Sequence, residues 1–423
     1  MTSSTLQPAM SVLPSKKTSI ILSAIAVIVF LCFGLLGNSE SAHFQLNSSG
    51  DAFELPELVF PGRASNIVIG LLLVGIAAYS WMQRKKGLTL ATWMVAIAAV
   101  LFVLSFLIWV VSGADISTIS LASLLAGAVV LAVPLVFGSL SGVLCERAGV
   151  VNIAIEGQLL GGAFTAALVS SLTKNAFLGL IAAGIAGALV SLVLALFSIK
   201  YVVNQIIVGV VLNVLVSGIT GFLFTTVMQE DPELFNSPVH LPVIEIPLLS
   251  AIPVIGPILF KQSVIGYLMY LAVFIVWFGL FKTKWGLRVR AVGEHPKAAD
   301  TLGIKVNRTR FWNVTLGGIV AGIGGSFFTL VAIDSFTKEI SGGRGFIALA
   351  AVIFGRWNPI GAFLAALLFG FADNLQVILT IIGTPVPSQF MAMMPYLVTI
   401  FAVAGLVGRS RGPAAAGEPY VKE

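Results

Sequence analysis

Apolar and polar positions in this chain are segregated in blocks of about twenty residues, the length of helix that crosses a hydrocarbon slab ~30 Å thick. Apolar runs fall at 18–37, 66–82, 91–112, 119–141, 152–171, 176–198, 202–227, 262–281, 311–332, 345–356, 359–380 and 392–408. The run at 345–356 is short for a crossing. It is expected as a re-entrant segment or half-helix, whose open backbone ends need cover from protein or a water-filled cavity. The in–out alternation of a membrane barrel strand is absent. The pattern predicts an all-α polytopic membrane protein with about 10–12 transmembrane helices. The first run is too long for a signal-peptide core and no cleavage site follows it, so it reads as a retained helix.

Hydrophobic residues make up 58% of the 423-residue chain and charged residues 10%, against roughly 25% charged in soluble domains. Lys and Arg orient the spans, since they concentrate on the cytoplasmic side. With the N-terminus inside, the outside segments hold only Arg63, Lys174, Lys261, Lys338 and Arg344 of the 24 cations. Both termini are thus expected in the cytoplasm. The net charge of +6 follows from topology and is no sign of nucleic-acid binding. The outside 228–261 loop carries Pro232, Pro238, Pro242, Pro247, Pro253 and Pro257, so it cannot be one long helix and reads as a stiff cap. Cys32 and Cys145 fall on opposite sides and are not expected to pair. His43, His240 and His295 lie in loops and are expected to be solvated.

One polar interruption stands apart. Residues 282–310 hold eight of the 24 Lys/Arg and bracket a short helix-forming core, Pro296 to Leu302, between Gly293 and Gly303. Pro suits a first helical turn, Ala298 and Ala299 are strong helix formers without bulk, and Gly303 can stop the helix. The segment reads as a docking element for a soluble partner on the cytoplasmic side.

Polar groups inside spans are the second signal, because an ionisable group at membrane depth costs about 2.5–3.5 kcal/mol on insertion scales. Glu156 follows Asn152 by one turn, with Gln158 close by; Asp373, Asn374 and Gln376 form a second group, and Asn204, Gln205 and Asn213 a third. They supply amides and carboxylates suited to a hydroxyl-rich or nucleobase-bearing solute. Two readings stay open for Glu146, Arg147, Asn152 and Glu156: the wall of a translocation path, or a structural hydrogen-bonded knot. The GGIVAGIGG run at 317–325 reads as a close helix-packing surface, and Pro134 is expected to kink its span. Gly162–Leu168 (GAFTAAL) returns as Gly361–Leu367 (GAFLAAL), a candidate internal repeat. No phosphate-binding GxxxxGK[ST], zinc spacing, HExxH or GxSxG occurs. Energy for uphill transport must come from a gradient or another polypeptide.

Three stretches carry a resemblance: ERAGVVNIAIEGQLLGGAF (146–164), GLRVRAVGEHPKAADTLGI (286–304) and GRGFIALAAVIFGRWNPIGAFLAALLFG (343–370). Together they resemble the permease subunits of ribose/nucleoside-type bacterial ABC importers, the nucleoside (guanosine-type) branch in particular, over about 119–408. Gln158 departs from the pattern of this subtype, where an apolar residue is expected. The resemblance implies ABC ATPase subunits as partners, with ATP and Mg²⁺ bound there and no cofactor or metal on this chain. It implies a second homologous permease subunit and an extracellular substrate-binding lipoprotein. It places the chain in the bacterial cell membrane as a multi-pass protein, and assigns Gly293, Glu294, Pro296, Ala298, Ala299 and Gly303 to the coupling helix that fits an ATPase groove. The expected organisation is a cytoplasmic tail (1–17), three extension helices without a family role (18–112), a permease core (113–408) and a disordered cytoplasmic tail (409–423). Two alternatives remain: a gradient-driven secondary transporter using Glu156 or Asp373 as the ion-coupled group, and an intramembrane enzyme that would need paired carboxylates or a metal set.

Overall fold

Away from water, backbone N–H and C=O groups are satisfied within a helix. The computed structural model, which describes residues 15–46, 55–114, 116, 118–383, 389, 393 and 411–422, is accordingly mostly helical. Among the described residues ten helices are long and apolar enough to cross a membrane. They are α1 Lys17–Leu35, α2 Gly62–Lys85, α3 Thr92–Val111, α4 Leu121–Arg147, α5 Ile155–Thr173, α6 Ala176–Lys200, α7 Gln205–Met228, α8 Val264–Lys282, α11 Val306–Ala332 and α13 Pro359–Ile381. Between α8 and α11 lie the polar helices α9 Lys284–Glu294 and α10 Pro296–Thr301. Helix α12, Arg344–Phe354, has only eleven residues; it is the half-helix expected at 345–356. The run at 392–408 lies outside the described residues except for Met393. Helix α4 continues through Pro134 without a break.

The chain divides into two compact units. In the first, which runs to Leu121 and takes in α13 from Gln376 on, Ser19 and Ser80 share a hydrogen bond of 2.8 Å. Ser105 donates to Asn66 at 2.6 Å, and Phe33 stacks on Trp109 at 4.8 Å. Strand β1 (Ser41–Gln45) pairs antiparallel with β2 (Leu58–Pro61) and parallel with β3 (Thr118–Ser120), a small sheet the helical pattern did not announce.

The second unit runs from Ala122 to Leu375 and includes 411–422. Its centre is α5, α6 and α11, and α5 and α11 are the most enclosed of all the spans. Glycines let their backbones touch. A methyl group on Gly162 would fall on the Gly322 carbonyl, one on Gly322 on the Ala183 carbonyl, and one on Gly325 on the Leu159 carbonyl. The 317–325 run is therefore the packing surface its composition implied. In the candidate repeat, Gly162 abuts the Gly322 carbonyl of a neighbouring helix, whereas Gly361 abuts the Gly355 carbonyl across the short turn between α12 and α13.

Helix α11 ends in a widened π-type turn, Phe328–Ala332. There Leu330 accepts from Leu241 N at 2.9 Å and Thr329 donates to the Ala163 carbonyl at 3.0 Å. The first of these bonds ties down the proline-rich 228–261 segment, which also forms a hairpin of β4 (Val243–Glu245) with β5 (Lys261–Ser263).

Residues 411–422 depart from the disorder expected of the 409–423 segment. Residues 411–422 lie against α9, α10 and the Gly149 turn, with Pro413 and Ala415 buried. The composition misleads because the segment is held chiefly through backbone groups.

Candidate functional site

Among the described residues, most of the polar side chains singled out in the spans serve three local structures. The first is a sealed amide network. Asn152 donates to Ser141 (3.0 Å) and to Gln158 Oε1 (3.1 Å), and Gln158 Nε2 reaches Ser191 at 2.8 Å. All four side chains are fully buried. Gln158, the departure from the expected pattern, is thus a crosslink among α4, α5 and α6. A buried polar group left without its partner costs about 1–3 kcal/mol, so an apolar residue here would unsettle three neighbours.

The second structure shapes the start of α5. Asn213 accepts from Gly157 N (2.8 Å) and donates to the Ile153 carbonyl (2.9 Å), tying α7 to both sides of the α5 entrance. Gln205 accepts from Val151 N at 2.7 Å. Asn204 is exposed and caps α7, accepting from Ile206 N at 2.9 Å.

The third is a clamp on α12. The sequence Ser341-Gly-Gly-Arg-Gly345 leads into it, and Gly342 (φ 55°) and Gly343 (φ 79°) adopt left-handed backbone, with the N–H groups of Gly343 and Gly345 turned toward one acceptor. Glu156 receives them. Its Oε1 accepts from Ser341 Oγ (2.6 Å) and Gly343 N (2.8 Å), and its Oε2 from Gly345 N (2.6 Å). A carboxylate at a helix N-terminus meets both open donors and the positive end of the macrodipole. Next to it, Arg344 lies 3.8 Å from Asp373 and over the Phe328 ring. Asn374 donates to the Leu124 carbonyl at 2.7 Å, while Gln376 is half-buried farther along α13.

The other end of α12 is clamped by the end of α4. Arg356 and Trp357 are consecutive non-glycine residues with φ of 54°, a conformation costing roughly 1–2 kcal/mol per residue. Arg147 holds the turn, donating to the Trp357 carbonyl at 2.8 Å and toward that of Arg356 at 3.4 Å; Trp357 Nε1 donates to Glu146. Glu146 and Glu156 therefore act at opposite ends of an eleven-residue helix, roughly 15 Å apart at 1.5 Å per residue. They cannot share a substrate as paired carboxylates. Among the described residues no cluster of three His, Cys, Asp or Glu could hold a metal ion.

Arg147 also reaches the polar insert, 3.9 Å from Glu294. Gly293 packs so tightly on the Arg147 carbonyl that a methyl group would overlap it. Pro296 opens α10 at its first turn and Gly303 (φ 82°) follows it. Within α10 the two alanines part company. Ala298 is exposed, whereas Ala299 is buried with Val292 and Val306.

Sequence reasoning missed Ser341, Gly343, Arg344, Gly345 and Trp357. The available signal was the glycine-rich run just before a short apolar helix, which marks a cluster of backbone donors.

The family described as "Branched-chain amino acid transport system / permease component" matches residues 123–403. The guanosine ABC transporter permease protein NupQ of Bacillus subtilis (strain 168) is 42% identical, across 69% of this chain and 94% of its own. The nucleoside ABC transporter permease protein NupC of Lactococcus lactis subsp. cremoris (strain MG1363) is 38% identical, across 71% and 96%. The Bacillus subtilis guanosine permease NupP is 24% identical, across 64% and 78%. No solved structure matches the chain. The match spans every element that builds the α12 clamp and the polar insert, and this multi-pass membrane protein belongs to the ABC-transporter permease family of the branched-chain amino acid transport type.

Proposed function

We propose that the chain is the membrane-spanning subunit of an ATP-driven importer that carries a nucleoside into the cytoplasm by alternating access. Its N-terminus and the 282–310 insert face the cytoplasm. A second permease subunit completes the pathway, an ATPase pair binds ATP and Mg²⁺, and an extracellular lipoprotein delivers the solute. Relatives named for guanosine and nucleoside transport, at 42% and 38% identity, support the substrate class.

The observation that carries the mechanism is the connection from α9–α10 through Glu294 and Arg147 to the foot of α12. A partner pressing on α10 moves Glu294 and Gly293, and Arg147 passes that displacement to the strained Arg356-Trp357 turn. A gradient-driven mechanism finds less support, because Glu156 is engaged by three donors and Asp373 has Arg344 beside it.

Uptake of labelled guanosine, uridine and ribose by cells with the gene intact, deleted, or carrying Ala298→Arg tests the proposal. Ala298 is exposed, so the substitution alters the docking face and leaves the core alone. Deletion should abolish nucleoside uptake and spare ribose. The variant should lower nucleoside uptake at least tenfold at unchanged membrane abundance. Normal uptake by Ala298→Arg would remove the docking role from 282–310, and uptake that collapses with an uncoupler at constant ATP would favour the gradient-driven alternative.

A further inference from the structure

Residues 411–422 form a strap across the polar insert, and its contacts are numerous for twelve residues. Ala415 N donates to the Gly293 carbonyl at 2.9 Å, Gly417 N to that of Gly149 at 3.4 Å, and Ala414 N to Glu294 at 3.2 Å. The fully buried Arg310 donates to the Glu418 carbonyl at 2.8 Å. Tyr420 packs on the Val292–Ala299–Val306 cluster, and Lys422 lies 3.4 Å from Asp300 of α10. Tyr420 and Lys422 both seat on the α10 region, so Val421 between them stands beside that helix and faces outward, 65% exposed. Leu302, just past α10, is 81% exposed. Exposed Lys305 and Arg308 flank them.

Val421 and Leu302 are thus exposed apolar side chains, one on the strap beside α10 and one just past α10, next to the face that the proposed docking uses. The strap takes up the inner side of α10, where Ala299 is buried, and leaves Leu302 and Ala298 open. It therefore does not block that face; it widens it. A surface already ordered by its own chain also costs little to immobilise on binding.

We propose that the strap is the second half of the ATPase-docking surface, with Val421 and Leu302 as apolar anchors for an ATPase subunit whose groove is apolar and rimmed by acidic residues. The inference rests on the reading that 282–310 docks an ATPase. Val421 is 65% exposed, so Val421→Asp should leave membrane abundance unchanged. It should cut the ATPase co-purified with the full complex at least tenfold, and nucleoside uptake with it. If Ala298→Arg loses uptake while Val421→Asp keeps both ATPase and uptake, the strap proposal is overturned and the docking role of the insert stands. If Ala298→Arg keeps full uptake, the underlying reading fails instead. A second measurement reads the contact directly. Val421→Cys in a Cys32→Ser background, labelled with a benzophenone and illuminated in the assembled complex, should give an adduct with the ATPase subunit; an adduct with phospholipid alone, or none, overturns the proposal.

Discussion

Glu156→Gln isolates what the carboxylate does for α12. The substitution keeps shape and removes one acceptor. In the native clamp Oε1 serves Ser341 Oγ and Gly343 N while Oε2 serves Gly345 N. A glutamine can keep the first pair, but its NH₂ then faces the Gly345 N–H, donor against donor. Turned over, its NH₂ faces the Gly343 N–H instead, while the Ser341 hydroxyl can accept from it. A hydrogen bond to a charged group contributes about 1.5–3 kcal/mol, and the lost charge at the helix N-terminus adds about 0.5–1 kcal/mol. The clamped arrangement should weaken by roughly 2–4 kcal/mol, a shift of some 30- to 1000-fold at 1.4 kcal/mol per decade. Uptake of guanosine and uridine measured in parallel is the assay, with membrane abundance and the detergent-solubilised melting temperature as controls. Both substrates should lose rate by the same factor, because the clamp touches α12 and not the solute. Wild-type rates with an unshifted melting temperature would refute the clamp. A rise in KM for one nucleoside alone would mean that Glu156 contacts the solute.

Two other substitutions test neighbouring parts of the argument. Gly322→Leu places a side chain on the Ala183 carbonyl and the Gly187 backbone, an overpacking expected to cost at least 1–3 kcal/mol; size-exclusion of the solubilised protein should show loss of the folded peak, and a normal peak would mean α5, α6 and α11 can separate freely. Arg147→Lys keeps the charge but not the fork that spans Trp357, Arg356 and Glu294. Uptake should fall about tenfold while the ATPase still co-purifies, and loss of the ATPase would make Arg147 part of the docking surface itself.

How much of this the sequence disclosed depends on the kind of interaction. Membrane spans are read from composition over twenty residues, and the brevity of 345–356 was enough to foresee a half-helix. Glu156 was visible as a costly group, but its partners lie 185 to 189 residues downstream, and two of the three are backbone N–H groups, which have no letter of their own. Arg344 was read only as an outside cation, and its place at the first turn of α12 beside Asp373 is a long-range contact that the sequence does not spell. Ala298 and Ala299 look equivalent in the sequence, and only the phase of α10 against Val292 and Val306 turns one out and the other in. The strap at 411–422 was the largest surprise, since Ala, Gly and Pro carry little of the apolar bulk by which order is recognised. It is ordered by Arg310, by carbonyls of the loop it crosses and by the ring of Tyr420.

The shape of α12 gives these contacts their consequence. Glycines bring it close to α4: a methyl group on Gly138 would touch Ala348 Cβ at 2.8 Å and one on Gly142 would touch Val352 at 2.6 Å. Polar contacts hold its two ends. One end answers to Glu156, and the other to a turn held in a strained conformation by Arg147 and Glu146. A short helix held by polar latches at both ends suits displacement as a unit better than bending. The latches are not equivalent, because only Arg147 also touches the insert. Loosening the Glu156 latch should slow uptake and ATP hydrolysis together, whereas weakening the Arg147 latch should leave ATP hydrolysis running and detach it from uptake. A ratio of ATP hydrolysed to nucleoside imported that stays constant in Glu156→Gln and rises in Arg147→Lys is the signature of that arrangement; equal ratios in the two variants would refute it.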